Sequence, residues 1–464
     1  MKSNTGNMKS NANSTGFSQL PLPELLREEG FACQCGKHHH TDVREVLIGS
    51  GVLRQLPEIV QKYGGSKPFL LSDQNTHHAA GEKVESLLKE HGMDFTGYVF
   101  PQQHLEPDEF SIGQAAMNFD RSCDFIVGIG TGTVNDISKI LSKVTGLNYM
   151  IVGTAPSMDG FASNTSSMIS GGIKVSLFSA CPVAILADLE VVCRAPVKML
   201  QAGLGDMMAK YVSLCEWRIS HLVNGEYYCE EVASLVRRSL KKCVQSAVGL
   251  AERDPEAIAN ILEGLILSGI AMGFAGISRP ASGVEHYFSH VWDMRALEFH
   301  TNSDLHGIQT GIGTVLALKI YEQIRTVRPD RAKALDYVNR FDREKYHAFL
   351  KEFLGSSADG LILLEKKEGK YDKAKHAKRL EVILDHWQDI LDIVNEELPA
   401  RSDVVALLHS LGAPVDPEAL GFSDDLVRKT FTATKDIRDK YNASRLLWDL
   451  GMLDDVAETL WPAE

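Results

Sequence analysis

The chain has 464 residues, 44% of them hydrophobic, and a net charge of −13 at pH 7. That length supports two or more domains with a large core. The acidic balance argues against nonspecific nucleic-acid binding, which needs a basic surface, and no run of about 18 apolar residues marks a membrane span.

The first residues are rich in Ser, Asn and Gly and lack the apolar block of a secretory signal. Residues 1–20 therefore read as a disordered leader. Cys33-Gln34-Cys35-Gly36, followed by His38, His39 and His40, reads as a surface hairpin holding no ion. Strand alternation puts the two thiols on opposite faces, and no second Cys/His half with finger-like spacing follows. Strands at 43–48, 68–72, 95–100, 125–129 and 149–152 alternate with helical spacing at 52–63, 76–91, 108–121 and 133–144. This rhythm predicts a parallel sheet with helices on both faces. Gly171 and Gly172, between two β-rich pieces, predict a hairpin over 166–179, and 183–186 reads as one more strand. After about Leu189 the strands stop. Helical periodicity fills 197–222, 226–253 and 255–274, and the remainder is helices with short connectors. The charged stretch 366–379 reads as solvated. The expected architecture is α/β plus all-α. A Rossmann-like parallel-sheet nucleotide-binding domain spans 21–188, and a multi-helical metal- and substrate-binding domain spans 189–464, with a ligand in the cleft between them. The eight cysteines show no dense disulfide pattern, which indicates reduced thiols and a cytoplasmic protein.

Gly128, Gly130 and Gly132 stand where a strand hands over to a helix starting near Thr133. Glycine there lets backbone approach a phosphate, and the helix start offers free N–H groups and a positive dipole end. A tight turn without a ligand accounts for the same glycines equally well. Asp73, at a strand end, is placed to accept from the ribose hydroxyls of NAD(H) or to cap the helix that follows. The loop from Thr154 to Ser163 is dense in hydroxyls and small residues and can line a cofactor cleft. Asp159 within it can accept from a substrate hydroxyl.

Asp206, His286 and His306 each sit in a segment of small residues. One carboxylate and two imidazoles suit a divalent ion with a position left open for substrate. Read singly, Asp206 is an N-cap opening a helix, His286 and His290 share one helix face, and His306 starts a helix. Glu285 and Asp293 are alternative ligands, and His290, one turn from His286, can point at substrate instead. Lys210 is either a phosphate partner or half of a structural ion pair.

Five segments, taken together, resemble the glycerol-1-phosphate dehydrogenase family, and its bacterial branch more than its archaeal one. They are Gly130 to Asp136, Thr154 to Ser163, Gly205 to Tyr211, Ser278 to His290 and Leu305 to Thr314, in that order along roughly residues 43–314. Thr131 stands where the wider group commonly has a glycine. The resemblance implies a dehydroquinate-synthase-like fold. It implies that Asp206, His286 and His306 hold a catalytic zinc, nickel or iron. It also implies that Asp73, Gly130, Gly132, Thr133, Val134, Asn135, Asp136, Thr154, Ala155, Pro156, Ser157 and Ser163 contact NAD(H) or NADP(H), and that Asp159, Asp206 and His290 contact substrate. The implied reaction is reversible reduction of dihydroxyacetone phosphate, a small phosphorylated triose, to sn-glycerol 1-phosphate, in a homo-oligomer, expected to be a homodimer. The alternatives are a polyol dehydrogenase acting on an unphosphorylated substrate and a cyclase that recycles NAD. The tail beyond about Leu350 carries no residue read as chemical.

Overall fold

The computed structural model describes residues 16–171 and 173–462. Most of the expected leader lies outside them. Its last residues are ordered: Phe17–Gln19 forms a 3-10 turn, and Phe17 is buried against Phe31, His39 and Phe274. A single buried aromatic thus pins the chain before residue 20, which a Ser/Asn-rich composition hides.

A short hairpin follows, with β1 (Phe31–Ala32) antiparallel to β2 (His38–His39). The main sheet holds β3 (Glu45–Gly49), β4 (Pro68–Asp73), β5 (Thr96–Phe100), β6 (Phe125–Gly130), β7 (Tyr149–Gly153) and β10 (Ala184–Asp188). Between the last two, β8 (Thr165–Ser170) and β9 (Ile173–Phe178) form the expected antiparallel hairpin. The sheet order is β3-β10-β7-β6-β4-β5, parallel throughout. Its central strands are continuous apolar runs because helices cover both faces, whereas the edge strands β3 and β5 are partly exposed. From β4 the chain passes to β5 on one side, while from β6 it passes to β7 on the other. The carboxyl ends of β4 and β6, at Asp73 and Gly130, therefore flank the point where strand order reverses, the usual crevice for a nucleotide.

Helices take over from Leu189. The central one, Val197–Asn224, is buried along most of its length and ends at Gly225 in left-handed conformation. Against it pack Pro255–Ala275, Val284–Phe299 and His306–Ile324. Pro255–Ala275 is long and apolar enough to cross a membrane by length and composition alone, but 72% of its apolar window is buried inside the protein. It is a core helix, packed on Glu230–Ser246.

Of the helical boundaries that differ from expectation, two have a clear local cause. Residues 52–63 split into a 3-10 turn Val52–Gln55 and a helix Leu56–Lys62, with Pro57 lacking an N–H in the first turn. Residues 226–229 stay outside the helix Glu230–Ser246, because Tyr227 and Tyr228 pack their rings on Trp217. The hairpin at Cys33 and Cys35 exists, but both residues lie beyond β1, in its turn, so strand alternation does not separate their thiols. It is also no free surface hairpin, since His39 is fully buried.

Candidate metal and dinucleotide site

Close helix approach builds the metal site. Gly205 and Gly307 face each other where Val197–Asn224 meets His306–Ile324, and a Cβ on either would collide with the other helix's backbone. A Cβ at Gly313 would likewise strike the carbonyl of Glu285. These glycines let three helices touch backbone to backbone, which brings Asp206, His286 and His306 together. Their ligating atoms all lie within 4.8 Å of one another. Asp206 sits in the middle of its helix and caps nothing, so the capping role open to it in the sequence is excluded. His306 is the first residue of its helix.

Each ligand is held from behind. Glu285 Oε1 lies 2.8 Å from His286 Nδ1 and also accepts from the Gly283 N–H, leaving His286 Nε2 to face Asp206 at 3.7 Å. Ser289 donates to Gln309 Oε1 at 2.7 Å, so its oxygen is free to accept from His306 Nδ1 at 3.1 Å. That bond puts the proton on Nδ1 and the lone pair on Nε2, the orienting arrangement usual for metal-binding histidines. Gln309 is anchored in turn on Asp293 and Ser303. Burial pushes His286 well below and His306 below the ordinary histidine range, so both rings are neutral and able to ligate. Burial, and next the charge of Asp159, push Asp206 upward. Lys210 answers both carboxylates, at 2.7 Å from Asp159 Oδ2 and 2.9 Å from Asp206 Oδ1. Although burial opposes ionisation, Lys210 holds Asp159 below its ordinary range. Lys210 is thus the ion-pair half of the alternatives open to it. The donor set fits one divalent ion with a side open to an exogenous ligand.

The loop after β7 couples this triad to the sheet. The Asp159 N–H donates to Asp206 Oδ2 at 2.9 Å, and Ser268 donates to Asp159 Oδ2. A Cβ at Gly203 would collide with the Pro156 carbonyl, so the loop rests directly on the central helix. Asp159 is committed to this scaffold through one carboxylate oxygen. His290 lies beside the triad, its ring 6.3 Å from that of His286 and 6.2 Å from that of His306, outside the ligating cluster.

At the reversal point, Asp73 caps Gln74–Thr76 by accepting the Thr76 N–H on Oδ1, and its Oδ2 makes no bond among the described residues. The helix Gly132–Thr145 begins one residue earlier than expected, after Thr131, whose side chain makes no cap bond. At Gly130 a Cβ would strike Val134, so packing alone demands glycine. At Gly132 a Cβ would meet nothing nearer than Met158, at 3.4 Å. The bare backbone there suits a phosphate arriving at the N–H groups of Gly132, Thr133 and Val134. Thr154 bonds back to Gly130, and Ala155 and Ser157 are buried beside it. Asn135, Asp136 and Ser163 turn inward. Asn135 bonds Gly160 and Tyr149, Asp136 accepts from Ser167, and Ser163 accepts from the fully buried Lys139 at 3.0 Å. These contacts tie the helix Gly132–Thr145 to the loop after β7 and to β8.

The site also draws on groups the sequence did not single out. Lys174, from β9, pairs with Asp293. Lys440 donates to the Ser282 carbonyl at 2.9 Å, and Arg438 and Lys440 together hold His290 down, after burial. The C-terminal tail, read as lacking chemistry, therefore delivers cationic charge beside His286 and His290. Residues 435–440 mix three basic with two acidic side chains, and nothing local ties Arg438 or Lys440 to the site.

Three comparisons bear on this geometry. Residues 47–196 match the family described as iron-containing alcohol dehydrogenase. A protein from Halalkalibacterium halodurans named glycerol-1-phosphate dehydrogenase (NAD(P)+) is 30% identical over 88% of this chain and 93% of its own. One of the same name from Pyrococcus furiosus is 34% identical over 59% of this chain and 77% of its own. Among solved structures, glycerol dehydrogenase from Schizosaccharomyces pombe shares the fold, with a TM-score of 0.57 at 16% identity over 90% of each chain.

Proposed function

Since the chain belongs to the glycerol-1-phosphate dehydrogenase family, we propose that it reduces dihydroxyacetone phosphate, reversibly, to sn-glycerol 1-phosphate with NADH or NADPH. The carrying observation is the convergence of Asp206, His286 and His306 beside the carboxyl edge of a parallel sheet. Those three residues hold a divalent ion, zinc, nickel or iron, which supplies Lewis acidity at a carbonyl oxygen. The reduced dinucleotide supplies the hydride.

The protein's own groups do the rest. The N–H groups opening Gly132–Thr145 receive the pyrophosphate, and the free Oδ2 of Asp73 accepts from ribose hydroxyls. Glu285 and Ser289 fix the two imidazoles. Lys210 pairs with both Asp206 and Asp159 and holds Asp159 below its ordinary range in a dry environment. His290, neutral and adjacent, hydrogen-bonds substrate and is placed to relay a proton to its oxygen, giving one from one ring nitrogen while the other takes one up from solvent. Arg438 and Lys440 meet the substrate phosphate. Asn135 and Ser163 support the dinucleotide turn through the loop from Thr154, and Asp136 ties the same helix to β8.

We place the enzyme in the cytoplasm, where its free cysteines stay reduced. We also take it to be a homodimer. Phe110, Met117, Val144 and Phe178 are exposed on neighbouring elements, apolar surface that a second copy covers.

The test is NADH and NADPH oxidation with dihydroxyacetone phosphate, dihydroxyacetone and no acceptor, before and after verified metal removal, with chiral analysis of the product. The reading predicts metal-dependent turnover of the phosphorylated ketone to the sn-1 product. Preference for dihydroxyacetone would point to a polyol dehydrogenase, and conversion without net coenzyme consumption to a cyclase. Full activity in the metal-free sample would end the Lewis-acid assignment.

A further inference from the structure

A second cluster of metal-ligating side chains lies outside the site just described. Cys33 and Cys35, from the turn between β1 and β2, meet His39 at the end of β2 and Cys229 at the start of Glu230–Ser246. Their four ligating atoms lie within 4.8 Å of one another. The Cys33 and Cys229 sulfurs are 3.6 Å apart, and His39 Nε2 is 3.3 Å from Cys35 Sγ and 3.5 Å from Cys229 Sγ. A disulfide needs about 2.05 Å between sulfurs. A tetrahedral zinc with Zn–S near 2.3 Å and Zn–N near 2.0 Å sets donor–donor edges of about 3.5–3.8 Å. The Cys33–Cys229 and His39–Cys229 separations match such edges, and the Cys35–His39 separation is slightly shorter, so the donors gather around a shared centre.

The surroundings are those of a built ligand shell. His39 is fully buried and its Nδ1 lies 2.7 Å from the Phe274 carbonyl. The carbonyl can only accept, so Nδ1 carries the proton and Nε2 presents its lone pair to the three sulfurs. Tyr227 Oη lies 3.4 Å from Cys35 Sγ. Three thiols and an imidazole with satisfied outer partners, and no open position required, describe a closed structural site.

We propose that Cys33, Cys35, His39 and Cys229 bind a structural zinc ion that bolts the N-terminal hairpin to the helical layer. Binding releases the three thiol protons, and the sulfurs ligate as thiolates. The ion joins segments about two hundred residues apart in the chain, beneath the ring cluster of Phe17, Phe31 and Phe274. None of its ligands belongs to the Asp206 triad, so the proposal stands or falls separately from the reaction assigned above.

The experiment uses full-length protein purified under reducing conditions. Wild type should carry two metal ions per chain. The H286A/H306A double variant, lacking the catalytic imidazoles, should retain one zinc, whose X-ray absorption shows three sulfurs at about 2.3 Å and one nitrogen. The C33S/C229S double variant should lose one ion and keep metal-dependent coenzyme oxidation. If the cysteine variant fails to fold, the histidine variant and the wild-type stoichiometry decide. A zinc-grown H286A/H306A protein with no bound metal overturns the proposal, as does a Cys33–Cys229 disulfide in the mass map of wild type.

Discussion

Replacing Lys210 by Met isolates the electrostatic core of the catalytic site. The ammonium is fully buried, 2.7 Å from one carboxylate and 2.9 Å from another, which is itself fully buried. At an effective dielectric of about 20, each contact is a Coulomb attraction of about 6 kcal/mol. Desolvation of three ions offsets most of that sum. The measurable consequence is the cost of stranding buried charge, about 3–5 kcal/mol. In the variant, Asp159 and Asp206 face each other without a cation, and one of them takes up a proton. Urea unfolding of metal-free K210M should therefore show a loss of about 3–5 kcal/mol. Saturating zinc should recover part of it, because a bound dication neutralises Asp206. Removing Asp159 as well, in K210M/D159N, should be less damaging than the sum of the two single changes. A loss below about 1 kcal/mol, the size of an exposed ion pair, together with strict additivity, would refute the argument.

Ser289→Ala removes the hydrogen-bond partner that His306 Nδ1 has among the described residues, and zinc affinity should fall about 10–100-fold by chelator competition; unchanged affinity would discount the relay through Gln309. Burial, then Arg279, lowers Lys440 to about 7, with Arg438 adding to the drop and Glu285 and Asp439 opposing it. Because its protonated form holds the phosphate, KM for dihydroxyacetone phosphate should rise as pH climbs above 7, whereas K440M should show a raised and flat KM across that range. Gly205→Ala forces apart the helices carrying Asp206 and His306; overpacking of this kind costs about 1–3 kcal/mol, and the variant should lose thermal stability and metal together. Normal metal content in G205A would show that the close approach is unnecessary.

Much of this was legible in the sequence because the period of apolar residues is a local property. The central strands β4, β6, β7 and β10 are unbroken apolar runs, and the central helix Val197–Asn224 is long and strongly periodic. Asp206, His286 and His306 stood out as candidate ligands from residue type and small-residue context, and the fold brings them together. What made them a site, the backbone contact of Gly205 with Gly307 and of Gly313 with Glu285, is a tertiary fact. Local reading misled at Asp206, where a Gly-Asp pair looks like a helix start but lies within a continuous helix. It misled at Cys33 and Cys35, where strand alternation was applied to residues that lie in a turn. Cys229 and the mixed-charge segment holding Lys440 could not be assigned from sequence, since each reaches its partners only through the folded helical layer.

The central claim is that one carboxylate and two imidazoles hold the ion on which reduction depends. Metal content and coenzyme oxidation with dihydroxyacetone phosphate, measured on the same preparations of wild type and His286→Ala, address it most directly. The account predicts that the variant carries one fewer ion per chain than wild type and loses turnover with it. A variant that keeps the full wild-type metal complement, or that turns over at the wild-type rate without it, would contradict the account.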